Sequence, residues 1–269
     1  MDKVRRGERI TVITKVLTGQ PGRLFSLGYF ADLFQTAKSS ISEDLAIIKD
    51  TLAEHDLGQL TTVSGAAGGV RYRPRLSEKR VKSFLAGLAR ELGAPERIMA
   101  GGYLYMSDMI FNPETAWQIG EVFASVFPDL EPEYVVTVET KGIPLALMTA
   151  RMMSVPLVII RNEGRVTEGP AVNINYVSGS TRRIRTMSLA RRAMPAGARV
   201  LLIDDFMKGG GTARGVQDLM REFQAQLVGT GVLVATAEPA EKMVDNFIAL
   251  LKLQQINERQ RVVSLCPGI

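Results

Sequence analysis

The 269-residue sequence predicts an α/β chain in two unlike parts: a small helical block closed by a hairpin, then a larger domain built on a parallel sheet. Three observations carry this. Apolar residues at helical spacing mark three short segments before residue 55, and two β runs follow on either side of Ser64–Gly69. From about residue 76, helices alternate with short Val/Ile/Leu runs, the pattern of strands buried on both faces. One such run ends in Asp204-Asp205 and opens through Gly209-Gly210-Gly211 into a helix. Composition sets the outer limits. At 46% hydrophobic and 23% charged residues the chain is ordinary globular protein. The single Cys266 allows no internal disulfide and suits a reducing cytoplasm. The single His55 excludes a two-histidine metal site and leaves hydrolase triads without a base elsewhere. A charged start with no long apolar run argues against a signal peptide, and no stretch reaches the ~18 residues of a membrane span. The net charge of +5 permits a polyanionic partner.

The elements follow in order. Ile10, Ile13, Val16 and Leu17 space a first helix over Arg5–Leu17, stopped by Gly19-Gln20-Pro21-Gly22. Leu27–Phe34 is a second, with Ser26 as cap. Ser39 or Ser40 is expected to cap a third, with Glu43 and Asp44 in its first turn and Ile41, Leu45, Ile48 and Leu52 as its apolar stripe. Leu60–Val63 and Val70–Tyr72 read as strands. Three helices and a hairpin with a small-residue tip is the order of a winged helix-turn-helix, and residues 1–75 are assigned to it. A basic helix from Ser77 to Leu92 opens the second part, residues 76–269. Asn112-Pro113-Glu114 starts another helix, with Asn as cap and Pro at its first position. Trp117, Phe123 and Phe127 read as core, and His55 as a surface or satisfied residue. Tyr134–Val138, Pro156–Ile160, Arg199–Ile203 and Leu227–Ala235 are the expected strands. Ile143–Met153, Thr212–Phe223 and Met243–Leu253 are the expected helices.

Chemistry concentrates in three segments. In Asp204-Asp205-Phe206-Met207-Lys208-Gly209-Gly210-Gly211-Thr212 a strand delivers two acids, able to accept hydrogen bonds from a ribose diol. The glycines let backbone N–H groups converge on an anion, and the helix start adds positive charge. This suits a sugar phosphate, and it is neither a P-loop nor a dinucleotide fingerprint. Thr140-Lys141-Gly142 is a second strand–turn–helix junction, with Lys141 a point charge for a second anion. The third runs from Asn175-Tyr176 through Ser178, Arg182 and Arg183 to Arg185, followed by Arg191-Arg192.

The first segment resembles the phosphoribosyl pyrophosphate (PRPP) motif of type I phosphoribosyltransferases. It departs at Lys208, where those enzymes have a small residue, and at Gly209, where they have Thr or Ser. Further segments carry a closer resemblance: Ala37–Leu45, Gly65–Val70, Pro95–Ile98 with Gly101–Tyr103, Lys141–Pro144, Asn175–Ser180 and Asp204–Lys208. They are similar to the purine operon repressors of Gram-positive bacteria over nearly the whole chain. That resemblance implies a type I phosphoribosyltransferase-like second domain and a homodimer that binds double-stranded DNA at purine-gene control regions. It implies PRPP as an effector that weakens DNA binding, not as a substrate, so no catalytic residue is assigned. Guanosine tetraphosphate, which also presents a ribose and diphosphates, would compete. Thr140, Lys141, Gly142, Tyr176 and Asp204 through Thr212 are the effector residues implied. No resident cofactor or metal is expected, and magnesium beside the diphosphate stays open. The alternative is a purine phosphoribosyltransferase enzyme with an added N-terminal domain, since fold alone does not fix function.

For DNA, the first 75 residues hold eleven Lys or Arg against eight Asp or Glu. Lys3 and Arg9 join Arg5 and Arg6 at the start. Lys38, Ser39, Ser40 and Ser42 sit at the N-terminal end of the recognition helix, where base contacts form. Glu43 and Asp44 are expected to turn from the groove or accept a hydrogen bond from cytosine. Gly68 stands at the wing tip, and Arg71, Arg73 and Arg75 alternate so that they share one face.

Overall fold

The computed structural model describes residues 4–65, 68–162, 169–177 and 184–269. The first block runs α1 (Arg6–Gly19), β1 (Leu24–Phe25), α2 (Leu27–Phe34), α3 (Lys38–Glu54), β2 (Gln59–Val63) and β3 (Gly69–Arg73). β1 was not expected. It pairs antiparallel with β3, which pairs with β2, giving the order β1-β3-β2. Ser26 caps α2, its Oγ accepting the Tyr29 N–H at 3.1 Å. The start of α3 corrects the expectation: Ala37 precedes it, no side chain caps it, and Ser39 and Ser40 lie inside its first turn. Ile13 and Leu17 of α1, Phe30 of α2 and Ile41 and Ile48 of α3 meet Leu60, Val70 and Tyr72 of the sheet in one core. Each such large apolar side chain contributes ~1.5–3 kcal/mol on burial. Of the two places expected for Asp44, the structure takes the first: it is buried, turned from the groove. It accepts from Arg9 Nε at 2.8 Å and Arg6 Nε at 3.1 Å, bracing α3 against α1.

The second part begins with α4 (Glu78–Leu92), capped by Ser77. β4 (Ile98–Met99), β5 (Tyr103–Leu104), α5 (Ser107–Ile110) and α6 (Pro113–Val126) follow, with Asn112 Oδ1 accepting from the Glu114 and Thr115 N–H groups. Then come β6 (Tyr134–Val138), α7 (Gly142–Met153), β7 (Leu157–Ile160), β8 (Ala171–Val177), β9 (Ile184–Ala190), β10 (Arg199–Met207), α8 (Gly211–Glu222), β11 (Gln226–Thr236), β12 (Ile248–Asn257) and β13 (Val262–Pro267). Six strands form one sheet in the order β13-β12-β11-β10-β6-β7, parallel except for β13. The expected helix over Met243–Leu253 is wrong: residues 248–257 are strand β12. An apolar run such as Ile248-Ala249-Leu250-Leu251 fits either state. The ladder offered by β11, with Val232 opposite Ala249 and Val234 opposite Leu251, decides it.

Alternation along the central strands separates two cores. Val135, Leu201 and Ile203 face α4, α6 and α7, while Val136, Val138, Val200 and Leu202 face α8 and the β8–β9 hairpin. Phe123 and Phe127 are core as expected, but Trp117 is only half-buried, with the Arg151 guanidinium over its ring. The two parts abut. Arg73 Nη2 pairs with Glu131 Oε1 at 2.9 Å and the Ser77 N–H donates to Asp56 Oδ1 at 2.7 Å. Gly22 (φ +78°) lies so close to α7 that a Cβ there would stand 2.7 Å from the Met153 carbonyl oxygen.

Candidate functional site

The sheet has one topological switch point. From β10 the chain moves outward through β11 and β12, while β6 leads to β7 on the other side. Loops leaving β6 and β10 therefore diverge, and a crevice opens between their carboxyl ends. A cavity of about 250 Å³ lies there, lined by Glu139–Lys141 after β6 and Asp204–Ala213 after β10. The sequence singled out both loops, 60-odd residues apart, and the parallel pairing of Val200–Leu202 with Tyr134–Val136 brings them together.

Asp204 and Asp205 form the floor. Burial, then the charge of Asp205, pushes the Asp204 carboxyl well above its ordinary range. Burial also raises Asp205, opposed by its hydrogen bond with Asp204 and by the Lys141 charge. Asp204 Oδ1 accepts the Asp205 N–H at 2.9 Å. Two crowded carboxyls that resist ionisation suit a partner with several hydroxyl donors. Gly142 is required by close approach: a Cβ there would collide with Thr137 Oγ1 and stand 2.7 Å from Asp204 Oδ1. Thr140 and Lys141 stand exposed at the rim, and the Glu139–Thr140 peptide is cis.

The Gly-rich loop turns at Gly210, whose φ of +82° lies in the left-handed region, and α8 starts at Gly211. Lys208 is exposed, while Met207 points into the core and Phe206 packs on the opposite core. Thr212 and Ala213, in the first turn of α8, complete that wall. Sequence reasoning missed what holds the loop from behind. Lys242 Nζ donates to the Lys208 carbonyl at 2.6 Å and the Thr236 carbonyl at 2.8 Å, and the Met243 N–H donates to the Gly209 carbonyl at 2.9 Å. Burial lowers the Lys242 pKa. No local pattern marks a lysine 34 residues beyond the loop. Asn162 was also missed; its N–H donates to Glu139 Oε1 at 2.7 Å beside the cavity. Tyr176 and Arg185 reach the same cavity from the β8–β9 hairpin, with Tyr176 packed on α8 at Gly215. Ser178, Arg182 and Arg183 lie outside the described residues, as do Lys3, Ala66 and Ala67.

The second candidate surface is the N-terminal end of α3. Lys38, Ser39 and Ser42 are exposed there and Ser40 is half-buried, a face open to a DNA groove. Arg5 is exposed at the start of α1, whereas Arg6 is engaged with Asp44 and Glu43. Gly68 closes the wing turn, donating to the Gly65 carbonyl at 2.9 Å. Arg71, Arg73 and Arg75 do share one side, but it faces the second domain: all three line the space between the domains. The fork of Arg73 is taken by Glu131 and the Pro128 carbonyl.

Comparison with known proteins agrees with this division. Residues 5–74 match the family described as bacterial purine repressor, N-terminal, and residues 107–265 match the phosphoribosyl transferase domain. The chain is 46% identical over 266 residues to the purine biosynthesis transcriptional repressor PurR of Bacillus subtilis (strain 168), covering 99% of this chain and 93% of that protein. It is 36% identical over 265 residues to the purine biosynthesis transcriptional activator PurR of Lactococcus lactis subsp. lactis (strain IL1403), covering 98% of each. Among solved structures, adenine phosphoribosyltransferase from Rhodothermus marinus superposes with a TM-score of 0.53 at 19% identity, over 64% of this chain and 99% of that one. Fold and site thus define a phosphoribosyltransferase-fold domain joined to an N-terminal DNA-binding domain of the purine repressor type. The chain belongs to the PurR family of purine biosynthesis transcriptional regulators.

Proposed function

We propose that this protein is a DNA-binding regulator of purine biosynthesis genes that acts as a homodimer and senses PRPP. The observation that carries the reading is the cavity at the switch point, where two carboxyls, a Gly-rich helix start and Lys141 converge. In this reading the ribose diol donates to Asp204 and Asp205. The 5′-phosphate lies on the backbone N–H groups of Gly209–Thr212, and the diphosphate lies against the Thr140–Gly142 loop with Lys141. Guanosine tetraphosphate presents the same groups and competes. The reading needs no resident cofactor. Lys38 and the α3 serines supply the groove contacts, with α3 as recognition helix.

PRPP weakens DNA binding only through a different affinity for the DNA-free state. A tenfold effect needs about 1.4 kcal/mol of coupling, and DNA lowers PRPP affinity by the same factor. The family's regulators and the shared Asp204–Lys208 segment favour sensing over turnover. The test titrates PRPP into the purified protein bound to purine control DNA from its own source. A parallel assay supplies adenine, guanine, hypoxanthine or xanthine with PRPP. DNA release without nucleotide formation is expected. Nucleotide formation without specific DNA binding would make the chain a phosphoribosyltransferase enzyme and overturn the reading.

A further inference from the structure

The cavity between the domains, about 550 Å³, exceeds the switch-point cavity at about 250 Å³. Arg71, Thr61 and Gln59 of the wing form one wall, and Pro128, Glu131 and Met153 of the second domain form the other. Its size lies within the ~300–1,000 Å³ typical of small-molecule sites, which favour domain interfaces.

Charge is distributed unevenly in it. Arg73 is matched by Glu131, and Arg75 donates to Gln59 Oε1 at 3.2 Å. Arg71 has no such partner. Its Nε is enclosed and meets no acceptor, and no ion pair among the described residues involves it. A buried N–H left unsatisfied is destabilising, more so on a charged group. The position is fixed by the sheet: Arg71 lies in β3, between Leu24 of β1 and Thr61 of β2. Arg71 lines the cavity from a central strand and, among the described residues, pairs with neither Asp129 nor Glu131 in the same lining, so its guanidinium is left to receive an anion. Its planar fork suits phosphate or carboxylate oxygens. The cavity is far larger than a bare phosphate needs, and the amide of Gln59 and hydroxyl of Thr61 offer further hydrogen bonds.

From this we infer a second ligand site, for a small organic phosphate of nucleoside monophosphate size, with Arg71 as its anion-binding residue. Spanning both walls, the ligand ties the wing to the second domain. The inference stands apart from the switch-point cavity, which lies on other loops.

The test is calorimetric titration of the full chain with adenosine 5′-monophosphate and, separately, with inorganic phosphate. Asp204→Asn with Asp205→Asn removes the other cavity's acids. Binding of the nucleotide that persists in that double variant, falls at least tenfold in Arg71→Ala and recovers in part in Arg71→Lys is expected. Thr61→Phe, which fills the cavity and keeps Arg71, should also abolish it, so the result survives if Arg71→Ala folds poorly. Unchanged binding in Arg71→Ala and Thr61→Phe, or binding lost with the Asp pair, would overturn the assignment. Inorganic phosphate binding as tightly as the nucleotide would reduce the site to an anion hole and overturn the organic-phosphate class. No heat from either probe would leave water as the partner of Arg71 and overturn it too. PRPP binding measured in the same variants separates this site's failure from failure of the sensing reading.

Discussion

Asp204 shows most directly how a binding group is maintained at a cost to folding. The folded protein holds its proton more tightly than the unfolded chain, whose carboxyl has the ordinary value near 3.8. The favourable contribution of the raised pKa is complete below that value and is lost as pH rises through the folded one. Near neutral pH the ligand-free protein therefore carries a penalty. Asp204→Asn is expected to raise thermal stability at pH 7.5 by about 1 kcal/mol, with a smaller gain at pH 5, while PRPP affinity falls at least tenfold. Melting curves at both pH values and a binding titration check this; a variant less stable at pH 7.5 would contradict it. Gly142→Ala should destabilise by about 1–3 kcal/mol, because its Cβ meets Thr137 and Asp204. The Asp-Asp and Gly-rich residues were legible because their chemistry is local. Gly142's need to lack a Cβ depends on the inward turn of Thr137 and on a strand 60-odd residues away, which spacing does not display.

At the scale of elements, the helices and strands were legible wherever a period was sustained, as in α3 and β6. The error over 248–257 arose because an apolar run carries no period of its own, and the exposed edge of β11 determined its state. Capping at α3 failed for a related reason: the two candidate residues, Ser39 and Ser40, both lie inside the first turn, which Ala37 precedes. Asp44→Ala leaves Arg9, only 10% exposed, without its carboxylate. A loss of about 3–5 kcal/mol is expected, read as early melting of the N-terminal core by hydrogen exchange. Lys38→Ala acts on the surface instead. It should lower DNA affinity and reduce the slope of log affinity against log salt by about 0.9, measured by titration at several salt concentrations.

For the whole molecule, the division into two parts was legible, while their packing was not. Alternation put Arg71, Arg73 and Arg75 on one face, and only the tertiary fold set that face along the space between the domains. Arg73→Ala removes a half-exposed pair with Glu131, so stability should change by less than about 1 kcal/mol. If the interface carries the proposed PRPP signal, the drop in DNA affinity proposed for PRPP should shrink severalfold, with the salt slope unchanged. DNA titrations with and without PRPP measure both, and an altered slope would return Arg73 to the DNA face.

Lys242 bears on time rather than affinity. Because its ammonium and the Met243 N–H already occupy the carbonyls of the Gly-rich loop, the opposite, inward side of that loop has its shape before any ligand arrives. Little ordering then remains to be done on encounter, so capture need not wait for a loop to close. If the cavity is the metabolite sensor proposed above, it relaxes as quickly as its ligand departs, and occupancy follows a falling metabolite level within a dissociation lifetime.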